Sequence, residues 1–546
     1  MIVQRWMPAR SPWSRLSLGV VAVALFALGC AAVYQHVIGW NEHSHFAQVR
    51  AFSHGTAIID PYRFTTGDRA YYHGHFYSDK APGMGLLLAP VYHAAVSTGL
   101  TPAAGVGTIH LMVIFGCVLP VAIMLLLACR LVERKDPGWG AAVAMTLGVG
   151  TLLLPFSTML FSHVLSACLG FAAYCLLRRE RQRAPDRGVG IGLIVAAGVL
   201  LGYAVTTENP LGLLTVVLGV YVAWRKAPAK ALIAYGGGVL IGLVPLLLYD
   251  WLVFGSPFHL SYASVAANSS GVLGLGWPSF RSAVRLLVSD RGLFVVTPVV
   301  AAAIGGIVVL YREGRRTDAL LPAAVVVAYF GYNVCYYLPF GGAVPGPRFL
   351  ITMLPFLAVP LAAAYRKAPI ATLSLAIVSG ATMAAATLTL PILSTAASTR
   401  VWWRLLESGH FSTPDANVAA FGVLVVLAIL VAAVATPRFS VTRRDLELAV
   451  VGLGSWFALR RAGPALLAHD LATRQVWGLT VLVVIGVVLT AVITRVARGH
   501  GLAWLAGVPV ALLAARGFDQ TTVALSLAAM SVGLLVVLPR PRRALL

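Results

Sequence analysis

Charge is scarce in this sequence. Asp, Glu, Lys and Arg make up 11% of 546 residues, where a soluble globular chain carries about 25%. That leaves too little polar surface to face water, and a soluble globular domain is excluded. Acids are the scarcer sign, 19 Asp and Glu against 41 Lys and Arg, for a formal charge of +22. A basic excess invites a nucleic-acid reading, but these arginines punctuate apolar runs and form no stripe, so no nucleic-acid partner is expected. Cysteine is rare as well. The six (Cys30, Cys117, Cys129, Cys168, Cys175 and Cys335) lie within or at the ends of apolar stretches. None pairs up in a loop, so neither a disulfide framework nor a zinc site is expected.

What the sequence has in abundance is apolar runs. Hydrophobic residues are 59% of the chain and fall in stretches such as 16–38, 232–249 and 476–493. A run of ~20 apolar residues crosses a ~30 Å hydrocarbon core as a helix, and in that core every backbone polar group must be satisfied internally. The fold class expected is therefore all-α, a polytopic transmembrane bundle of about 12 to 16 spans. The N-terminal run follows Arg5, Arg10 and Arg15 and passes Cys30 to reach Ile38. It is too long for a typical signal-peptide core and reads as an uncleaved first helix.

With the N-terminus inside, the positive-inside rule threads the chain consistently. Helix 1 (16–39) exits into a long polar loop, 40–83, followed by an interfacial or re-entrant segment at 84–100. Helix 2 (105–129) returns to Arg130, Arg134 and Lys135. Helices 3 and 4 (138–156 and 162–177) form a hairpin that ends on Arg178, Arg179, Arg181, Arg183 and Arg187. Helices 5 and 6 turn outside at 206–210 and return to Arg225, Lys226 and Lys230. Helix 7 exits into a second long loop, 254–290. Helix 8 returns to Arg312, Arg315 and Arg316, helix 10 to Arg366 and Lys367, and helix 12 to Arg438, Arg443 and Arg444. About four weaker spans close at Arg540, Arg542 and Arg543. Residues 1–440 form one module, and 441–546 add helices to which the sequence assigns no role. Richness in Ala, Val, Gly and Arg suggests a GC-rich bacterial genome, so the expected location is a bacterial cytoplasmic membrane.

This threading gathers the unusual side chains outside. The first outer loop opens Trp40-Asn41-Glu42-His43-Ser44-His45 and closes Tyr72-His73-Gly74-His75-Phe76-Tyr77-Ser78-Asp79-Lys80-Ala81-Pro82-Gly83. Glu42 follows helix 1 and Lys80 precedes the next apolar segment, so both can converge on a lipid head group. Other outer turns add His163, Glu208, Tyr262 and Arg348. Ionisable groups at a membrane boundary are costly and usually have a task. Each also has a plainer reading. Glu42 caps the helix that follows it or pairs with Arg50, Lys80 snorkels, His163 sits in a hairpin turn, and Arg348 anchors at an interface. The loop histidines read as hydrogen-bonding groups. No dense carboxylate cluster is present, and no metal is expected.

Asn41-Glu42 ahead of an amphipathic helix, and the segment Tyr77 to Gly83, resemble the GT-C glycosyltransferases, in particular the protein O-mannosyltransferases and the lipid A aminoarabinose transferases. That superfamily opens its first outer loop with an Asp-Glu pair and closes it with an acid-Lys-Pro-Pro segment. Further patches are similar: Tyr249-Asp250-Trp251 through Pro257, and Gly346-Pro347-Arg348-Phe349-Leu350. Two positions depart. The first acid of the pair is Asn41, and the helix 3–4 turn offers His163 where relatives carry a second acid.

The resemblance implies an enzyme moving one sugar from a polyprenyl-phosphate donor to an acceptor hydroxyl on protein, glycan or lipid, by inverting displacement at the outer surface among membrane lipids. Glu42 is then the expected base, with His163 orienting it or sharing its proton and Asn41 alongside. Lys80 and Arg348 are the expected donor-phosphate ligands. Asp79, Tyr77, His75, Glu208 and Tyr262 are expected to support them. The competing readings are a lipid or solute transporter, such as a flippase, and a glycan ligase using a pyrophosphate-linked donor.

Overall fold

The computed structural model describes residues 14–183, 188–224, 227–265, 274–392 and 399–467. The spans expected after 467 lie outside the described residues, and so do Arg5, Arg10, Arg187, Arg225 and Lys226.

Helix α1 (Arg15–Ala32) starts at Ser14, whose side chain accepts from Ser17 N at 3.1 Å. It stops well short of the expected residue 39. The chain then runs extended, with Tyr34 N donating to Thr413 Oγ1 and His36 N to Ser412 O, each at 2.9 Å. A distant loop satisfies these backbone groups, so the helix need not, and hydropathy alone cannot see that partner. Helix α2 (Trp40–Ser53) follows. Strands β1 (Arg69–Tyr72) and β2 (His75–Ser78) then pair antiparallel, a hairpin within an otherwise helical chain. Its two-residue turn, His73 and Gly74, has φ of 47° and 89°. Positive φ at both positions matches strand twist in a tight hairpin.

Helix α3 (Gly83–Ser97) occupies the segment expected to lie at the interface. Helices α4 (Val106–Val113) and α5 (Leu119–Lys135) join through a π-turn into one apolar stretch, Val106–Lys135. Next come α6 (Gly140–Val149), α7 (Leu153–Ser157) and α8 (Ser162–Arg181), then α9 (Ile191–Thr207), α10 (Leu211–Ala223) and α11 (Pro228–Phe254). Helix α12 (Phe280–Val288) lies within the expected second outer loop, 254–290, and α13 (Leu293–Val296) and α14 (Val299–Arg312) stand where a single helix was expected. The chain bends there by 93°, at Pro298, which lacks the N–H that a continuous helix needs. Helix α15 (Arg316–Cys335) precedes a 3₁₀ segment, Arg348–Leu357, that runs into α16 (Ala358–Lys367). Helices α17 (Pro369–Leu388), α18 (Thr399–Glu407), α19 (Asp415–Ala435) and α20 (Arg443–Leu467) complete the described chain.

Among the described residues seven helices are long and apolar enough to cross a membrane, or eight if the bent pair counts as one span. The protein is therefore a polytopic helical membrane protein. Its helices approach closely where side chains are smallest. Gly198 and Gly202 of α9 face Gly238 and Gly242 of α11, and a Cβ on any of the four would collide with backbone of the opposite helix. This small-xxx-small spacing lets backbones touch in lipid, where no hydrophobic force separates helix from solvent.

The acids and bases of several helix ends interlock. Asp318 takes Lys135 at 3.3 Å, Arg178 at 3.0 Å and Arg315 at 3.2 Å. Asp136 takes Arg315 at 2.9 Å and Arg366 at 2.8 Å. The residues that the threading assigns to alternate loops thus meet at one end of the bundle, joining α5, α8, α15 and α16.

Candidate functional site

The second polar gathering is built on α2. Its first turn places Glu42 at the third helical position, where Oε2 accepts from Gly39 N at 2.8 Å. The other oxygen, Oε1, accepts from Leu160 N at 3.2 Å. One carboxylate therefore caps α2 and pins the turn before α8, and the capping reading of Glu42 describes its contacts. The side chain is 1% exposed. Burial pushes its pKa up to about 7 against the pull of the two amides, because among the described residues no compensating cation lies beside it. Neighbouring Asn41 is buried, with an Oδ1 that has no partner among the described residues.

The β-hairpin returns the chain to α2 and delivers Lys80. Ser44 on α2 donates to Asp68 O at 2.7 Å and meets Ser78 Oγ at 2.8 Å. Gln48, one turn on, donates to Lys80 O at 3.1 Å. Tyr203 of α9 donates to Gly83 O at 2.9 Å. Held on these sides, Lys80 Nζ lies 2.8 Å from Asp68 Oδ2 and 3.0 Å from Asp79 Oδ1. Burial alone would lower its pKa, but the two carboxylates outweigh burial and hold it above the ordinary value. Asp68 responds oppositely: burial raises it, Lys80 more than cancels this, and its pKa is lowered. Asp79, the more deeply buried acid, stays raised by burial despite Lys80.

Helix α8 begins at Ser162-His163, directly after the strand-like Phe161. The tight turn between α9 and α10 sets Glu208 against it, with Leu211 N donating to Glu208 O at 3.0 Å. His163 Nδ1 is 2.8 Å from Glu208 Oε1, and Ser162 Oγ donates to the same oxygen. Ser162 Oγ is also 3.3 Å from Nε2 of His45, on α2. The result is a buried chain from His45 through Ser162 and Glu208 to His163. Burial would raise the Glu208 pKa, but His163 and Ser162 pull it down to about 2, so the carboxylate is ionised. Burial lowers His45 to about 3, and it is neutral. His163 is 5% exposed, and its remaining nitrogen, Nε2, is buried without a hydrogen-bond partner among the described residues.

Arg348 opens the 3₁₀ segment. Its guanidinium lies 5.5 Å from the Phe161 ring centroid and 5.2 Å from that of Phe349. Among the described residues it forms no ion pair, and its buried Nε has no hydrogen-bond partner. It acts electrostatically on Lys80, Asp79, Asp68, His45, His163 and Glu208, so these groups form one assembly. Aromatic rings wall it. Phe349 packs on His163 at 5.5 Å, Tyr332 at 5.8 Å and Tyr336 at 5.1 Å, and Tyr262 hydrogen-bonds to Tyr336.

Of the residues singled out in the sequence, Lys80, Asp79, His163, Glu208 and Arg348 come together, with Glu42 adjoining through Leu160, Asn41 next to Glu42 on α2, and Tyr262 joining through the aromatic wall. Two do not join them. His75 pairs with Asp60 at 2.8 Å on the hairpin, and Tyr77 packs with Ala70, Tyr249 and Phe254. Sequence reasoning missed Asp68, Tyr332 and Tyr336, and it read His45 only as a loop hydrogen-bonder. The i, i+3 spacing of Glu42 and His45 on one helix face is the signal that would have found His45. Among the described residues, no group of three His, Cys, Asp or Glu is placed to hold a metal ion.

No family model matches the chain, and no curated protein matches it. Solved structures align with much of this chain. ArnT from Cupriavidus metallidurans bound to undecaprenyl phosphate is 14% identical, with a TM-score of 0.49 over 86% of this chain and 79% of that one. The Archaeoglobus fulgidus oligosaccharyltransferase in the apo form is 12% identical, with a TM-score of 0.40 over 84% of this chain and 60% of that one.

Proposed function

We propose that this protein is a GT-C-type membrane glycosyltransferase. It moves a single sugar from a polyprenyl-phosphate donor to an acceptor hydroxyl on protein, glycan or lipid, with inversion. The protein sits in a bacterial cytoplasmic membrane as a bundle of about 12 to 16 spans, with its N-terminus inside and its site extracytoplasmic. The observation that carries it is Arg348, a partly enclosed cation without an ion-pair partner among the described residues. An unpaired guanidinium in such a setting is costly unless an anion completes it, and a planar guanidinium suits phosphate geometry.

Lys80 is a second cation, already shared by Asp68 and Asp79. A phosphate entering beside Arg348 would compete with these carboxylates for it. As the anomeric bond to the lipid phosphate breaks, the leaving oxygen gains charge, and this pair of cations stabilises it. A transporter would place its polar groups near the bilayer midplane. Here Glu42 and Lys80 lie on the loop flanked by α1 and α3.

The test is reconstitution in lipid nanodiscs with a panel of polyprenyl-phosphate sugars, measuring release of free polyprenyl phosphate. One donor is expected to be turned over, and Arg348→Gln is expected to weaken its binding by about 10- to 100-fold, the value of a charge-assisted hydrogen bond. Movement of labelled lipid across the bilayer without release would overturn the transferase reading in favour of a transporter. Turnover of pyrophosphate-linked donors alone would make the protein a ligase.

A further inference from the structure

A sugar transfer to a hydroxyl needs a base, and the two candidate bases are held in different ways. Glu42 has committed both carboxylate oxygens to backbone amides, Gly39 N at 2.8 Å and Leu160 N at 3.2 Å. Moving it to a substrate would uncap α2 and strand a buried amide before α8. His163 has committed one nitrogen, Nδ1, to Glu208 at 2.8 Å, and its Nε2 is buried with no partner among the described residues. An imidazole fixed at one nitrogen by a carboxylate, with the other unpaired, is the arrangement in which histidine takes a proton from a hydroxyl.

The surroundings agree. His163 contacts Phe349, the residue next to Arg348, with ring centroids 5.5 Å apart. The charged and titratable groups acting on it are Glu208, Arg348 and Lys80, with His45 reaching the same carboxylate through Ser162. Among the described residues Glu208 is the one carboxylate paired with the imidazole, and Arg348 and Lys80, the cations assigned to the donor phosphate, act on the same ring electrostatically. His45, Ser162 and Glu208 form a hydrogen-bonded row that fixes the ring and its tautomer.

We propose that His163, positioned by Glu208, is the catalytic base of the transfer, and that Glu42 serves as the structural clamp between α2 and α8. This assignment rests on the transferase reading above. In the step, the acceptor O–H gives its proton to His163 Nε2. The acceptor oxygen forms the bond to the anomeric carbon, and the bond from that carbon to the phosphate oxygen breaks. The leaving polyprenyl phosphate takes the electron pair. The Glu208 carboxylate stabilises the imidazolium until its proton passes to water. Glu208 touches no substrate and acts through His163, as a positioning residue.

The experiment compares wild type, His163→Ala, Glu208→Gln and Glu42→Gln in nanodiscs. Donor turnover, polyprenyl-phosphate affinity and thermal unfolding are measured on each. His163→Ala is expected to lose about 10²- to 10⁴-fold in turnover, the range for a general base, with donor affinity unchanged. Added imidazole should restore part of the rate. Rescue by substituted imidazoles should follow their basicity, which filling a cavity alone would not produce. Glu208→Gln, which keeps the shape, should lower kcat and leave the donor KM unchanged.

Turnover of His163→Ala within about 10-fold of wild type, or a loss that no imidazole relieves in a protein that still binds donor, would overturn the assignment. So would loss of turnover in a folded Glu42→Gln, which would return the base to Glu42. If His163→Ala does not fold, an unchanged kcat in Glu208→Gln overturns the dyad by itself. A wild-type protein that turns over no donor brings down the transferase reading first, and the dyad with it. That result is separate from any ranking of the variants.

Discussion

Glu208 holds His163 at 2.8 Å and takes the Ser162 hydroxyl on the same oxygen. This one carboxylate therefore joins the turn between α9 and α10 to the start of α8. Its pKa is held down near 2, from an ordinary 4.5. A depressed carboxylate stabilises the fold above its unfolded pKa, and that stability is lost as pH falls through the folded value. Thermal unfolding in detergent is expected to weaken between pH 4.5 and about 2, by at most about 3 kcal/mol from this group. Glu208→Gln should flatten that acid limb. An unchanged limb would mean that other carboxylates carry it.

Glu42 has the opposite sign. Its folded pKa is raised to about 7 from an ordinary 4.5, so the stability tied to its protonated form is present below pH 4.5 and is lost as pH rises through 7. Glu42→Gln is expected to gain stability relative to wild type on going from about pH 5 to about pH 8. Glu42→Ala should cost about 1–3 kcal/mol for each amide left unsatisfied, Gly39 N and Leu160 N. Melting temperatures of the three proteins at both pH values check this.

Gly341 has φ of 73°, and a Cβ there would run into Nε, Cδ and Cγ of Arg348. Gly341→Ala is therefore expected to displace the guanidinium without removing it. Donor affinity should fall by about 10-fold, the low end for one charge-assisted contact, and left-handed backbone strain should cost about 1–2 kcal/mol. Isothermal binding of polyprenyl phosphate, read beside the melting temperature, separates the two effects. Affinity equal to wild type would show that Arg348 does not bind the lipid phosphate.

At the other end of the bundle, Asp318→Ala leaves the nearly buried Arg178 without its carboxylate. Removing one partner of a buried pair costs about 3–5 kcal/mol. Denaturation should show that loss, and turnover per folded molecule should remain that of wild type. A selective loss of turnover would reveal coupling between the two ends.

Much of this protein was determined by its sequence. Lipid solvation forces long apolar stretches to be helices, so the bundle followed from composition and run length. The alternation of basic loops sorted residues by side. The structure gathers Asp136, Asp318, Arg178, Arg315 and Arg366 into one ion-pair cluster. Lys80, His163, Glu208 and Arg348 meet in another assembly.

Only the tertiary structure decided which of the gathered groups are free to act. Glu42 reads as a base in the sequence, yet its oxygens are taken by Gly39 N and by Leu160 N, 118 positions away. Glu208 reads as a supporting group in an outer turn, but its partner, the imidazole of His163 on α8, is given only by the fold. Asp68 drew no notice, and it shares Lys80 with Asp79. The physical reason is the same in each case. Apolar periodicity is local and survives in one dimension, whereas a carboxylate's role depends on which donors reach it, and here those donors come from distant helices.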